Sequence, residues 1–376
     1  MKNKHTYLVI TPFFPSNDSF VGSYIFDQVN EIRKQTEFDI RIVKTVSLFS
    51  SERDYEFNGF NVSVFKIIDL PFFILPGLFN EINRKRFLNF LIKKGIENVR
   101  YSHSHVTYPA SYIVDDLICK KIVQHHGLDV LQLQNGRSDF IKKNQRRYLI
   151  VNSIKQLNKV NLNIGVSRLV LDKLKEFNDY NPKSEYVLYN GVDTSKFFPL
   201  ENKKSDGFTI GCVANFWKIK SQITLIRSVK EIYLSGEKIN LRLIGTGPTF
   251  NMCLDYVNKN NLNEIISFEK EIEHKKLNQF YNEIDLFVLP SYFEALGCVY
   301  MESWATNTPF IAVKGQGISE IIPDVDKMLF EAENSSQLAE RILFFMNNTF
   351  TFKPLNKFNI RNTISDFLTQ DVFLDD

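Results

Sequence analysis

The stretch PSYFEALGCVYMES carries two glutamates, Glu294 and Glu302, with seven residues between them and Gly297 in the gap. Upstream, DLFVLP has the composition of a buried strand and stops at Pro290, and downstream VYMESWA reads as a helix. One carboxylate therefore sits in the bend after a strand and the other inside the next helix. Gly297 lets the backbone approach a ligand closely, and the amides of Cys298 and Val299, opening the helix, face an anion such as a diphosphate. A carboxylate repels a neighbouring diphosphate unless it points at neutral hydroxyl donors. Sugar hydroxyls are such donors, so two carboxylates flanking an anion-binding helix start suit a nucleotide sugar. The same spacing also fits a loop glutamate followed by a surface-helix glutamate with no ligand.

The elements that must hold these residues alternate along the chain. TYLVI, DIRIVKTV, NVSVFKI, KIVQH and NLNIGVS read as strands, with helical stretches between several of them, such as the one carrying Ile25, Val29 and Ile32. The order repeats in FTIGCVA, NLRLIG, IISFEK, DLFVLP and PFIAV, each followed by a helix-like segment. Short apolar strands alternating with helices mean βαβ units and a parallel sheet. Two such series predict an α/β protein of two doubly wound, Rossmann-like domains. Ligands of such sheets bind beyond the C-terminal strand ends. The loop after the first strand holds Gly22 but lacks GxGxxG, and GTGPTF (245–250) lacks a third glycine. Either loop by itself reads as a plain turn.

A chain of 376 residues agrees with two domains. Four scattered cysteines without a CxxC pair disfavour a zinc site or disulfide framework and fit a reducing cytosol. A cytoplasmic location is expected, since MKNKHTYLVITPFFP is too short in its apolar core for a signal peptide and no stretch is apolar enough to span a membrane. Residues 1–200 hold 28 Lys/Arg against 20 Asp/Glu, a balance of +8, while residues 201–376 hold 18 against 23, a balance of −5. The basic half includes an aromatic–basic stretch from Asp69 to Lys94, with Arg84, Lys85, Arg86, Lys93 and Lys94. It reads either as a helix on an anionic membrane or as a solvated basic face. No nucleic-acid partner is expected at a net charge of only +3.

FVLPSYFEALGCVYMESWATNTPFIAVKGQGISEII closely resembles the signature of glycosyltransferase family 4, retaining enzymes of the GT-B fold. NIGVSRLVLDKL, VLYNGVDTSKFFP, IGCVANFWKIKS, LRLIGTGP, FPSNDSFVGS and QHHGLD are similar to further family segments, in family order. The resemblance implies two Rossmann-like domains facing across a cleft. Residues 1–195 would be the acceptor-binding domain and 196–376 the nucleotide-sugar domain, with the final helix, about 356–376, packing back on the first. It assigns Glu302 to the ribose hydroxyls and Glu294 to the donor hexose, and Ala295, Leu296, Gly297, Cys298 and Val299 to the sugar and diphosphate. Lys220 would neutralise the diphosphate, His126 would approach the donor sugar, Gly22 would lie near the phosphates, and His105 and Asp129 would lie on the acceptor side. Glu294, His126 and Lys220 are the catalytic candidates.

Departures from the pattern are Asn215 where an arginine is usual, Ser23 and Ser221 where glycines are usual, and Gln316-Gly317 in place of two glycines. The reaction implied is transfer of a hexose from a nucleotide sugar, a UDP-sugar being favoured, to a glycan or polyisoprenyl-linked glycan in cell-surface polysaccharide synthesis. Neither metal nor cofactor is expected. The DVD of 324–326 has no adjoining strand, and His103 and His105 are expected to point to opposite faces of their strand, which disfavours shared ligation. The competing reading is a non-catalytic nucleotide-sugar or glycan-binding subunit, which Asn215 favours by removing a cation.

Overall fold

A computed structural model describes residues 4–69, 77–127, 140–201, 207–322, 325–348 and 356–374, with the side chains of 140–146, 325 and 357 excepted. The chain forms two compact units, Met1–Asn190 with Thr363–Asp376, and Gly191–Asn362. Sequence reading placed the division at 195/196. The helix Ile360–Phe367 straddles the second junction, so the chain re-enters the first unit near its end.

The first unit is built on strands β1 (Thr6–Thr11), β2 (Asp39–Ser47), β3 (Tyr55–Phe57), β4 (Phe60–Ile67), β5 (Val99–His105), β6 (Lys120–His125), β7 (Leu162–Gly165) and β8 (Glu185–Val187). Their order is β3-β4-β2-β1-β5-β6-β7-β8, parallel except for the β3–β4 pair. β1 is buried along its whole length, as a central parallel strand covered on both faces must be, which is why TYLVIT is nearly all apolar. The following helix, Ser23–Gln35, buries Ile25, Val29 and Ile32 and ends on Arg33 and Lys34, where cations suit its C-terminal dipole. The returning C-terminal segment brings Phe373 to 5.0 Å from the Tyr101 ring and Phe367 to 6.0 Å from the His103 ring, centroid to centroid.

In the second unit, β9 (Phe208–Val213), β10 (Ile239–Ile244), β11 (Ile266–Glu269), β12 (Leu286–Leu289), β13 (Phe310–Val313) and β14 (Leu329–Phe330) pair in parallel in the order β11-β10-β9-β12-β13-β14. Strand order reverses between β9 and β12 here, and between β1 and β5 in the first unit. At such a switch point the loops leave in opposite directions and open a crevice beyond the strand ends. The fold thus directs attention to the loops after β9, β12 and β13.

The aromatic–basic stretch proves only partly free. Its described part forms the helix Asn80–Lys93, in which Arg84 pairs with Asp115 at 3.1 Å and Arg86 donates to the Lys66 carbonyl at 2.9 Å while lying over Phe65. Lys94 is paired with Asp54. Lys85 and Lys93 are exposed. Residues 70–76 of the stretch lie outside the described residues. Among the described residues no helix is long and apolar enough to cross a membrane.

Candidate functional site

In the second unit Lys220 ends a short turn, Lys218–Lys220, that follows β9, and Glu294 lies in the loop that follows β12. The two loops are stitched together by the buried Ser291, whose hydroxyl donates to the Ile219 carbonyl at 3.1 Å, and by Tyr292 N–H, which donates to the same oxygen at 3.1 Å. This brings the Lys220 ammonium onto the Glu294 carboxylate as an ion pair, with side chains only 22% and 12% exposed. Ser221, where a glycine is usual, has φ 48°, and its hydroxyl meets Thr224 at 2.9 Å at the start of the helix Gln222–Leu234. The left-handed backbone explains the preference for glycine there.

Glu294 is also held from the loop after β13. Its backbone N–H donates to the Gln316 side-chain oxygen at 2.8 Å, and its carbonyl accepts from Gly317 N–H at 3.2 Å. Gly297 has φ 83° and caps the helix Cys298–Ala305; a Cβ there would stand 2.7 Å from the Tyr300 ring. The Tyr300 hydroxyl is spent on the Leu289 carbonyl at 2.9 Å, so the ring is a fixed floor beneath the glycine. The first amides of this helix lack intrahelical acceptors by construction and carry its positive end. Ala295 is half-buried and Leu296 is 1% exposed, which leaves Leu296 only its backbone to offer a ligand. Asn215 is exposed, and its carbonyl accepts from Trp217 N–H at 2.8 Å.

Glu302 lies one turn into the helix and is 9% exposed. The Tyr281 hydroxyl donates to its Oε2 at 2.8 Å, and His274 Nε2 is 3.6 Å from its Oε1. Burial, then the Glu302 charge and that hydrogen bond, hold the Tyr281 hydroxyl well above its ordinary pKa, so it stays a donor. Sequence reading missed Tyr281, His274 and Ser291, and noted Gln316 only as a departure from a two-glycine pattern. Ser291 and Gln316 stood within the quoted signature, whereas Tyr281 and His274 reach the site from upstream of it.

Gly245 and Gly247 have a packing reason. A Cβ at these positions would come within 2.2 Å of the Ala214 carbonyl oxygen and 2.6 Å of that of Phe216, so the GTGP loop lies against the loop after β9.

In the first unit Gly22 has φ 89°, and a Cβ there would lie 2.7 Å from the Phe13 backbone. The expectation that His103 and His105 face opposite ways is corrected: alternate residues of a strand share a face. Their rings stack with centroids 4.4 Å apart and planes 20° apart. His105 Nδ1 meets His126 Nε2 at 2.9 Å, Tyr24 lies over His126 at 4.9 Å, and the Tyr7 hydroxyl meets His103 Nδ1 at 2.8 Å. Burial pushes His103 down to about 3, with the neighbouring His126 adding to the effect. Burial, then His103 and His126, push His105 well below its ordinary range. Both are therefore uncharged at neutral pH. His105, expected on the acceptor side, is wholly buried beneath this column and offers a ligand no surface of its own. Val106, which follows it, holds φ 78° with its N–H on the Gln124 carbonyl at 2.9 Å, an unfavourable backbone for a β-branched residue. Asp129 lies outside the described residues.

Residues 193–363 match the family model described as "Glycosyl transferases group 1". An uncharacterised glycosyltransferase of Methanocaldococcus jannaschii is 27% identical over 348 residues, covering 90% of this chain and 88% of that protein. The O-antigen chain mannosyltransferase RfbU of Salmonella typhimurium is 26% identical over 218 residues, 55% of this chain and 59% of that one. Among solved structures, Anabaena HepE in complex with UDP superimposes with a TM-score of 0.69 at 14% identity, covering 98% of this chain and 96% of that one.

Proposed function

We propose that this chain, whose residues 193–363 match the glycosyl transferases group 1 model and which has the GT-B fold, moves a hexose from a nucleotide sugar to a glycan or lipid-linked glycan, with retention at the anomeric carbon. The observation that carries the reading is the meeting of Lys220 and Glu294 from the loops after β9 and β12, beside the Gly297 helix start. The lysine and the helix amides supply positive potential for a leaving diphosphate. Glu294 and Glu302 supply acceptors for sugar and ribose hydroxyls on either side of it. Attack comes from the face the diphosphate leaves, and a diphosphate oxygen takes the acceptor proton, so no enzymic base of raised pKa is required. The protein then contributes preorganised charge and exclusion of water.

A UDP-sugar is the favoured donor, with the UDP complex of the Anabaena fold neighbour as support. The Salmonella O-antigen relative supports a role in cell-surface polysaccharide synthesis. Charge compensation by Lys220 and backbone amides makes the reaction metal-independent in this reading. Incubation with UDP-glucose, UDP-N-acetylglucosamine, UDP-galactose and GDP-mannose, with detection of released nucleotide in the presence of a lipid-linked glycan extract, tests it. Release that persists in EDTA is expected. Loss of release in EDTA with recovery on adding magnesium or manganese overturns the metal-free part.

Asn215, uncharged where the family pattern carries arginine, favours a second reading in which the chain binds nucleotide sugar without turning it over. Nucleotide-sugar affinity without any release from the four donors would select that reading.

A further inference from the structure

The loop after β13 departs from the two-glycine pattern at Gln316, and that side chain enters the site. Its oxygen accepts the Glu294 N–H at 2.8 Å, and since a backbone N–H can only donate, the orientation of the carboxamide is settled by chemistry. The next residue, Gly317, donates to the Glu294 carbonyl at 3.2 Å. Both backbone polar groups of Glu294 are thereby tied to Gln316-Gly317, while its carboxylate is tied to Lys220. The Gln316 nitrogen, with two N–H donors, has no hydrogen-bond partner among the described residues. Gln316 is half-buried, so its side chain remains within reach of a ligand.

We propose that Gln316 is a specificity-determining residue for the donor sugar, resting on the nucleotide-sugar reading above: its side-chain N–H donates to the oxygen of the sugar hydroxyl whose proton Glu294 accepts. A glycine at this position offers no such donor, so the substitution selects sugars that present an acceptor there. A hydroxyl satisfies the arrangement because it gives its proton to a carboxylate while its oxygen accepts from the carboxamide. An acetamido carbonyl satisfies the carboxamide alone. A sugar deoxygenated at that carbon satisfies neither.

Two variants separate contact from scaffold. Gln316→Glu retains an oxygen for the Glu294 N–H and loses the side-chain donor, whereas Gln316→Leu loses both. Dissociation constants for UDP, UDP-glucose, UDP-N-acetylglucosamine, UDP-galactose, GDP and GDP-mannose are measured by calorimetry on the full chain. The quantity read is the ratio of the sugar-nucleotide constant to that of its bare diphosphate, which cancels effects of the added charge on the diphosphate. For the sugar that wild type binds best, the ratio is expected to rise about tenfold in both variants, the effect of one lost hydrogen bond. An unchanged ratio in Gln316→Glu, with or without a change in Gln316→Leu, overturns the proposal and leaves Gln316 as a loop staple. Failure of wild type to bind any of the four nucleotide sugars overturns the underlying reading instead, and the proposal with it.

Discussion

In the first unit burial keeps the imidazoles of His103 and His105, at the end of β5, uncharged, whereas the loops after β9 and β12 in the second unit gather a lysine and two carboxylates. The difference follows from solvent access. His103 and His105 sit at 0% exposure inside a sheet, where an isolated charge is too costly, and they stack as neutral rings. Lys220 and Glu294 sit on loops at the rim, where each compensates the other and both keep access to a ligand. A titratable group at a strand end is therefore not by itself a site. Its charge state, set by burial, decides whether it serves binding or packing.

The charged arm of this contrast breaks first at Lys220. Lys220→Ala is expected to lower nucleotide release by about a hundredfold or more, the scale of losing one preorganised electrostatic contact. Release within twofold of wild type would show that Lys218 or another cation serves the diphosphate. Glu302→Ala, which removes a buried acceptor, is expected to weaken nucleotide-sugar binding roughly 5- to 150-fold, corresponding to about 1–3 kcal/mol. Equal calorimetric affinity for wild type and variant would remove Glu302 from the site.

The neutral arm is probed by acid. His103 titrates near 3 in the folded chain and near its ordinary value when unfolded, so between those limits the unfolded chain holds a proton that the folded chain lacks. Stability is then fully present above the ordinary value and falls as pH drops towards 3, by about 1.4 kcal/mol per pH unit for this one group. Denaturant midpoints measured from pH 7 to pH 4 should fall, and His103→Asn should flatten the slope. An identical slope in the variant would show that His103 is charged or exposed.

The smallest effect concerns the charge asymmetry between the two halves. We expect the protein to bind vesicles of anionic lipid at low salt, and Lys85→Ser with Lys93→Ser to weaken that binding by about 1 kcal/mol per cation. Flotation that is indifferent to both substitutions would leave the basic helix a solvated face.

Five of the six strands of the second unit were legible because they are short, mostly apolar runs, and the charged loops between them carry a dense motif; β14, two residues long, was not read. VRYSHSH, which forms β5, does not stand among the apolar strand runs, although His103 and His105 were placed on a strand, because its buried face is made of tyrosine and histidine and composition does not reveal that these are inside. The face shared by His103 and His105 was missed for a different reason, a misapplied strand period. Glu294, Gly297 and Glu302 stood out because a single motif contains them. Tyr281 and His274 meet that motif only through the fold, from positions whose local sequence carries no signal, whereas Gln316 was visible as a departure but its contact with Glu294 was not.

The order in which the chain is made has a bearing on the first unit. Residues 191–362 are contiguous, so the second unit is complete once its own stretch has left the ribosome. The first unit, although synthesised first, waits for Phe367 and Phe373, which close over His103, Tyr101 and Tyr7. Until the final turn emerges, that aromatic cluster and the imidazoles beneath it lack their covering rings. A released chain ending at residue 362 would carry a complete second unit and an unfinished first one, and a protease should find the earlier-made half the easier to cut.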